Sequence, residues 1–522
     1  MALGRALSAA IVGVTATIVD VEANVGPGLP RIQIVGLADT AISESRDRMK
    51  TAVANSQLHW PKTKVVVSLS PASMPKAGSH FDVAMCLAIL TASSTDPLVR
   101  QRLSETVLLG EVGLDGSLRP VAGVLPVLMA ARRAGLRRVI VPQGNAAEAA
   151  LIDVPVDQKL GTPRMSVLAA RSLAQIMGWV NDLVELPSAV SVAEAQGTGA
   201  SESAAVPDMA DVCGQPEARW AAEVAAAGGH HMMMVGPPGT GKSMIAARLP
   251  GLLPPLDAGQ CVQATAVHSV AGGVFHGPVL VPPFVAPHYS VSRSALLGGG
   301  SGMPRPGAVS LAHHGVLFLD EASEIPASVL DSLRTPLEEG EVRLVRARHD
   351  VHFPARFQLV LAANPCPCGA EDPSSCRCLA RVRMRHLSNI SGPLRDRLDI
   401  FVHTRGVGAV LGHAGEESTA SIRKRVVAAR ERSVARWSRA GVRARSNRDV
   451  DSQVLRREFP ADDAAMALLA AYLGNGDVSQ RGVDRMLKLA WTIADLAGAS
   501  RPGLDHVAQA FELHGAPVEV AA

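Results

Sequence analysis

The octapeptide GPPGTGKS, Gly236–Ser243, is a complete G-x-x-x-x-G-K-[ST] arrangement between the apolar run HHMMMV and the helix-like MIAARL. Strand, glycine loop and helix in that order are the context in which this spacing binds phosphate. In the loop Gly236, Pro237, Pro238, Gly239, Thr240 and Gly241, the glycines let the non-proline backbone N–H groups close around phosphate oxygens, backed by the helix dipole. Lys242 would reach the β- and γ-phosphates of ATP, and the Ser243 hydroxyl would ligate Mg²⁺. The second half of such a site is GVLFLDE, residues 315–321, an apolar strand ending in two acids. Asp320 is expected toward Mg²⁺ and Glu321 toward a water that attacks the γ-phosphate. FQLVLAAN ends on Asn364, an amide at a strand tip suited to holding that water.

Basic candidates follow. SGPLRDRLD, residues 391–399, offers Arg395 and Arg397; SQRGVDRMLKLAWTIADL, residues 479–496, puts Arg481 and Arg485 four apart on one helix face. Each, taken alone, also suits a solvated or paired side chain. Four of the chain's seven cysteines fall in AANPCPCGAEDPSSCRC, residues 362–378. The pairs Cys366/Cys368 and Cys376/Cys378 are separated by enough chain to fold back and present four thiolates tetrahedrally to Zn²⁺. The C-x-C spacing is tighter than the usual zinc pattern, so free reduced thiols remain the alternative; a C-x-x-C redox pair does not match.

These groups need a scaffold. At 522 residues the chain is long enough for about three domains. A 47% hydrophobic and 19% charged composition suits packed cores, and a net charge of +3 points to no partner by bulk electrostatics. The opening MALGRALSAAIVGVTATIVD has the look of a secretion signal, but Thr15 and Thr17 alternate with apolar neighbours and read as strand. Apolar runs stay short of the about 18 residues of a membrane span. Cys86, Cys213 and Cys261 stand singly, as in a reducing, cytoplasmic setting. Residues 1–186 alternate strand-like and helix-like runs. Residues 187–207 are small and polar and read as a linker, 208–404 repeat buried strands with helices between, and 405–522 are mostly helical. The overall class is α/β, with a parallel three-layer sandwich holding the glycine loop.

The chain resembles the AAA+ ATPases of the magnesium-chelatase-like branch, specifically the ComM/YifB family of competence-related proteins, over nearly its whole length. The markers are GLPRIQIVGLADTAISESRDRMKTAV, DVCGQPEARWAAEVAAAGGHHMMMVGPPGTGKS, PRPGAVSLAHHGVLFLDEASEIP, ARFQLVLAANPCPCG and SGPLRDRLD. The resemblance implies that the segment from Asp211 and Val212 to Gln215 lies against adenine and that Asn364 is sensor 1. It further implies that Arg397 is an arginine finger reaching a neighbouring subunit, and that Arg481 is sensor 2 on a helical lid. A finger acting in trans implies a homo-oligomeric ring, usually a hexamer. The family's hairpin before sensor 1 falls in EVRLVRARHDVHFPARF, with Arg343, Arg346 and Arg348 as DNA contacts, and a helix-2 insertion falls around residues 266–310. Val285 and Tyr289 depart from the family's usual Arg and His, and Trp491 from its usual Arg.

Residues 110–142 resemble a segment of the Lon-protease-like fold, also called ribosomal S5 domain 2-like. Its serine and lysine positions fall near His80 and Leu125, so Ser79 lacks an activating base and peptidase activity is not expected. In ComM-like proteins the substrate is branched DNA, gripped through its backbone without regard to sequence. SIRKRVVAARERSVARWSRAGVRARSNRD, residues 421–449, carries ten Lys/Arg and suits either phosphate contact or a solvated helix. Two other readings are a chelatase-type ATPase remodelling a protein for Mg²⁺ insertion and a nucleotide-gated scaffold.

Overall fold

Alternation of apolar residues along ALGRALSAAIV and TATIVDVEANVG makes an antiparallel pair, β1 (Ala2–Val12) and β2 (Thr15–Gly26), with Leu7 opposite Asp20. The expected strand at Thr15 and Thr17 is thus present. The computed structural model describes residues 2–36, 39–74, 76–153, 165–197, 207–272, 277–300, 303–346, 349–370, 376–405 and 416–514. Five further strands, β3 (Arg31–Val35), β4 (Lys64–Ser70), β5 (Thr106–Leu108), β6 (Arg138–Pro142) and β7 (Ser166–Ala170), complete a mixed sheet of order β3-β4-β2-β1-β5-β6-β7. One face is covered by the helix Asp82–Leu90, buried from Asp82 to Ile89. Ser79 donates to the Glu111 carboxylate, Lys76 to the Pro71 carbonyl, and Leu125 is wholly buried. The segment read as a linker begins with a helix instead: Ser188 caps Ala189–Ala195, which buries Ala189 and Val192.

The second sheet is parallel throughout. In chain order come β8 (Met232–Val235), β9 (Phe284–Val285), β10 (Val316–Leu319), β11 and β12 (Glu341–Arg346 and His349–Pro354), β13 (Gln358–Ala363) and β14 (Ile400–His403); β11 and β12 form a separate antiparallel hairpin and the other five make the sheet. The order of the five sheet strands is β9-β10-β13-β8-β14. Met232 and Met234 face the helices Pro216–Gly228 and Lys242–Leu252, whereas Met233 and Val235 face the opposite layer with Leu319 and Leu361. A strand buried on both faces must be apolar at every position, as MMMV, VLFL and QLVLAA nearly are, and each such side chain contributes about 1.5–3 kcal/mol. No helix among the described residues is long and apolar enough to cross a membrane.

The two sheets are joined by packed surface. Val262 and Ala266, on the helix Ala258–Val270, share a core with Leu7, Val124 and Leu128. The Gly123 N–H donates to Ser269 Oγ at 2.7 Å. Glycine is also required at Gly13 in the β1–β2 turn, where φ is +62° and a Cβ would stand 2.6 Å from Val351 Cγ1 of the hairpin. Beside Ser269, Glu148 accepts the Leu125 N–H at 2.9 Å, and burial pushes its carboxyl up to about 7. A carboxyl raised above its ordinary value of about 4.3 gives full stability below that value and loses it as pH climbs toward the folded pKa. Between about pH 5 and about pH 8 the melting temperature of the unmodified chain is therefore expected to fall more than that of Glu148→Gln. Asp82, also pushed up to about 7 by burial, is common to both proteins and cancels. Equal slopes in a thermal melt series would remove the assignment.

The C-terminal helices Thr419–Arg439, Asp463–Gly474, Gln480–Ala497 and Leu504–His514 pack on Pro216–Gly228 and on one another. Trp491 is core: its indole N–H donates to the Phe459 carbonyl at 3.0 Å and its ring meets Trp437 edge-on.

Candidate nucleotide site

The glycine loop sits where β8 ends and the helix Lys242–Leu252 begins. Gly239 and Gly241 have φ of +82° and +85°, a region open to glycine at no steric cost, and the space where a Cβ would lie is empty. At Gly236 the opposite holds: a Cβ would fall 2.1 Å from Thr404 Oγ1. Thr404, at the end of β14, also pairs with Thr240 through their hydroxyls at 2.7 Å. Sequence gives no sign of it because β14 is a four-residue strand, too short to show a period.

The expected catalytic groups converge here. Lys242 Nζ donates to the carbonyls of Gly236 and Pro237 at 2.6 and 2.8 Å and to Asn364 Oδ1 at 3.2 Å. Burial lowers its pKa, and the Asp320 charge opposes that shift. Ser243 Oγ donates to Asp320 Oδ2 at 2.6 Å, placing a hydroxyl and a carboxylate side by side. Those oxygens suit a hard cation, so Ser243 and Asp320 would hold Mg²⁺, which supplies charge neutralisation on the phosphates. Glu321 is exposed just past β10, with φ +48° and ψ 41°, and its N–H donates to Asp320 Oδ1 at 2.9 Å. A left-handed glutamate costs about 1–2 kcal/mol, a strain of the kind that clusters at working sites. Behind Asn364, the imidazole Nε2 of His386 hydrogen-bonds the Asn364 carbonyl at 3.2 Å, and Nδ1 lies 3.3 Å from Glu324. Nothing in the sequence linked those three residues.

On the expected adenine side, Val212 is buried and Asp211 is paired with Arg248 at 2.9 Å. Gln215, at φ +56°, donates its amide to the Arg405 carbonyl at 2.6 Å.

The arginines lie elsewhere. Arg397 pairs with Glu338 and donates to the Pro393 carbonyl. Arg481, expected as sensor 2, is 77% exposed and reaches Asp396 at 3.4 Å; among the described residues it bonds to nothing in the glycine loop. Arg485 donates to the Leu398 carbonyl at 3.0 Å. All three therefore attach to the Pro393–Asp399 segment and not to Lys242. Arg395 is part-buried, and burial lowers its pKa.

On the hairpin, Arg343 is paired with Asp350 at 2.9 Å, Arg346 is exposed, and Arg348 lies outside the described residues. The basic run 421–449 is largely structural. Arg425 bridges Glu223 and Glu417, Arg430 caps the Ala226 carbonyl, Arg432 and Arg436 bind Asp495, and Arg448 pairs with Asp399. Five of its ten cations are thus directed inward, which narrows its phosphate-binding role. The inward face was legible as Ile422, Val426, Ala429, Ser433 and Trp437, spaced by three and four.

The four clustered cysteines bring their Sγ atoms within 4.8 Å of one another. Cys366 to Cys368 is 3.2 Å, and Cys368 to Cys376 and Cys376 to Cys366 are 3.5 Å each. Zn–S bonds of about 2.3 Å in a tetrahedron set sulfur atoms about 3.8 Å apart, so the cluster fits. N–H donors of Ala370 and Arg377, with the Cys366 thiol, pull the Cys368 thiol down to about 6.

Comparison with known proteins agrees with this geometry. The family model "Magnesium chelatase, subunit ChlI" matches residues 208–410, its C-terminal companion matches 416–514, and "Subunit ChlI of Mg-chelatase" matches 21–145. An uncharacterized protein of Mycobacterium tuberculosis is 49% identical over 98% of this chain and 98% of its own length. Competence protein ComM of Haemophilus influenzae is 36% identical over 98% of this chain and 97% of its own. Lon protease of Mycolicibacterium smegmatis is 31% identical over 163 residues, 30% of this chain and 20% of its own.

Proposed function

The chain belongs to the ComM/YifB family of magnesium-chelatase-like proteins, and from that premise we propose that it is an ATP-hydrolysing AAA+ motor that works as a homo-oligomeric, hexameric ring on branched DNA. The observation that carries the ATPase half is the convergence of two bonded pairs, Lys242–Asn364 and Ser243–Asp320, at the ends of parallel strands, with Glu321 beside them. The set binds the β- and γ-phosphates through Lys242 and the loop N–H groups, orients a water between Asn364 and Glu321, and hands its proton to Glu321.

The ring is supported by Arg397 and Arg481, which are held together on the Pro393–Asp399 segment and make no bond to their own glycine loop among the described residues. A finger in that position serves a neighbour. DNA action is supported by the likeness to a competence protein and by the exposure of Arg346 on the hairpin. The proposed layout is a catalytically inactive Lon-like domain (1–186), an ATPase core (208–404) and a helical lid (405–522), working in the cytoplasm. Against peptidase chemistry stands Ser79, whose hydroxyl is bonded to Glu111 and to no lysine among the described residues.

A second reading, remodelling of a protein partner for Mg²⁺ insertion, draws on the chelatase-subunit models. Phosphate release with and without a forked or four-way DNA separates the two. The motor reading expects faster turnover and rearranged DNA strands with the unmodified chain, and no rearrangement with Glu321→Gln. Failure of branched DNA either to stimulate turnover or to be rearranged would sink it.

A further inference from the structure

We propose that Cys366, Cys368, Cys376 and Cys378 bind one Zn²⁺ ion, and that this zinc knuckle buttresses the nucleotide loop through the contact between Gly369 and Pro238. The second half rests on the reading of Gly236–Ser243 as a nucleotide site; the first does not.

The cluster has the number, chemistry and spacing of a closed structural zinc site. All four Sγ atoms lie within 4.8 Å of each other, and the separations among Cys366, Cys368 and Cys376, 3.2–3.5 Å, are too long for any sulfur–sulfur bond. Four thiolates around one Zn²⁺ leave a net charge of about −2. The segment from Cys376 to Ser388 answers it with Arg377, Arg381, Arg383 and Arg385 and carries no acid.

The knuckle touches the nucleotide machinery at two places. Asn364, two residues before the first ligand, accepts from Lys242. Past the second ligand, the Gly369 N–H donates to the Cys366 carbonyl at 2.9 Å and closes a turn. Gly369 has φ +70°, and a Cβ there would lie 2.6 Å from Pro238 Cδ and 2.8 Å from Cγ. The turn that carries two thiolates is therefore pressed directly onto the glycine loop. A turn this short has no apolar side chains to fix it, whereas four metal bonds fix it without a core. Zinc on one side of the turn and Pro238 on the other pre-organise the loop that must receive phosphate.

The test uses the full chain. Elemental analysis is expected to give about one zinc per chain for the unmodified protein and none for the double variant Cys376→Ser, Cys378→Ser. Cobalt substitution is expected to give thiolate charge-transfer absorption. Affinity for a fluorescent ATP analogue is expected to fall by about threefold or more in the double variant and in Gly369→Ala. Gly369→Ala keeps every ligand and is expected to retain its zinc, so its loss of affinity would not come from unfolding. Metal-free protein, or iron in place of zinc, overturns the metal assignment. Unchanged nucleotide affinity in zinc-loaded Gly369→Ala overturns the buttress. Zinc-loaded unmodified protein that binds no nucleotide would overturn both the buttress and the nucleotide site, and leave the zinc site standing.

Discussion

Glu321→Gln is expected to bind ATP as the unmodified chain does and to release phosphate at least about a hundredfold more slowly, since a positioned base contributes roughly 10²–10⁴ to rate. Glutamine keeps the shape and can still hydrogen-bond a water, but it cannot take the proton. The substitution leaves the loop alone: Ser243 bonds to Asp320, Lys242 bonds to Asn364 and to the Gly236 and Pro237 carbonyls, and the link from Glu321 to Asp320 is made by backbone N–H. Steady-state phosphate release, read beside binding of a fluorescent ATP analogue, separates the two quantities. Turnover that survives the change would move the base elsewhere, and loss of binding would mean that Glu321 shapes the loop.

Arg397→Ala is expected to lower turnover of the assembled protein by about 10³, the lower end of what an arginine finger supplies, while each chain still binds nucleotide. Among the described residues the side chain is tied to Glu338 and Pro393 and not to its own glycine loop, so under the proposed ring its effect is expected on a neighbour's nucleotide. That gives a sharp signature. Mixing Arg397→Ala with Lys242→Ala, two inactive proteins, brings an intact finger against an intact glycine loop at some interfaces, and turnover is expected to return in part. If Arg397 served its own nucleotide, the mixture would stay silent. The same mixing with Arg481→Ala shows whether that residue works across the interface or within its chain.

The nucleotide loop was legible because its chemistry is compact. Eight consecutive residues carry the phosphate contacts, and the flanking apolar runs are buried on both faces and so show no alternation to misread. The three central strands are legible for the same reason, whereas the hairpin is placed only by the family resemblance. What escaped depends on long-range packing. β9 is two residues long and β14 four, too short for any period, yet β14 brings Thr404 against Thr240. The helix Ala189–Ala195 hides in a small, polar composition because only Ala189 and Val192 need to be buried. Arg481 sits on the expected helix, but its neighbours are set by how that helix crosses the Pro393–Asp399 segment, and no spacing within the helix reports that. The basic run shows the limit of counting charge: Arg425 and Arg436 read like any surface cation until Glu223 and Asp495 arrive from distant helices.

The β1–β2 turn has a mechanical consequence. With no Cβ at Gly13, the turn lies directly against Val351 and the His352 carbonyl, on the return strand of the hairpin β11–β12. Phe353, next along that strand, is fully buried, whereas Val345 near the far end is 65% exposed. The hairpin is therefore held partway along its length, at the Leu344–Val351 pair, with Gly13 as the fulcrum on one side and Gly298 against Leu344 on the other. Any force on Val345 or Arg346 is delivered, through that fulcrum, into the sheet β1–β7.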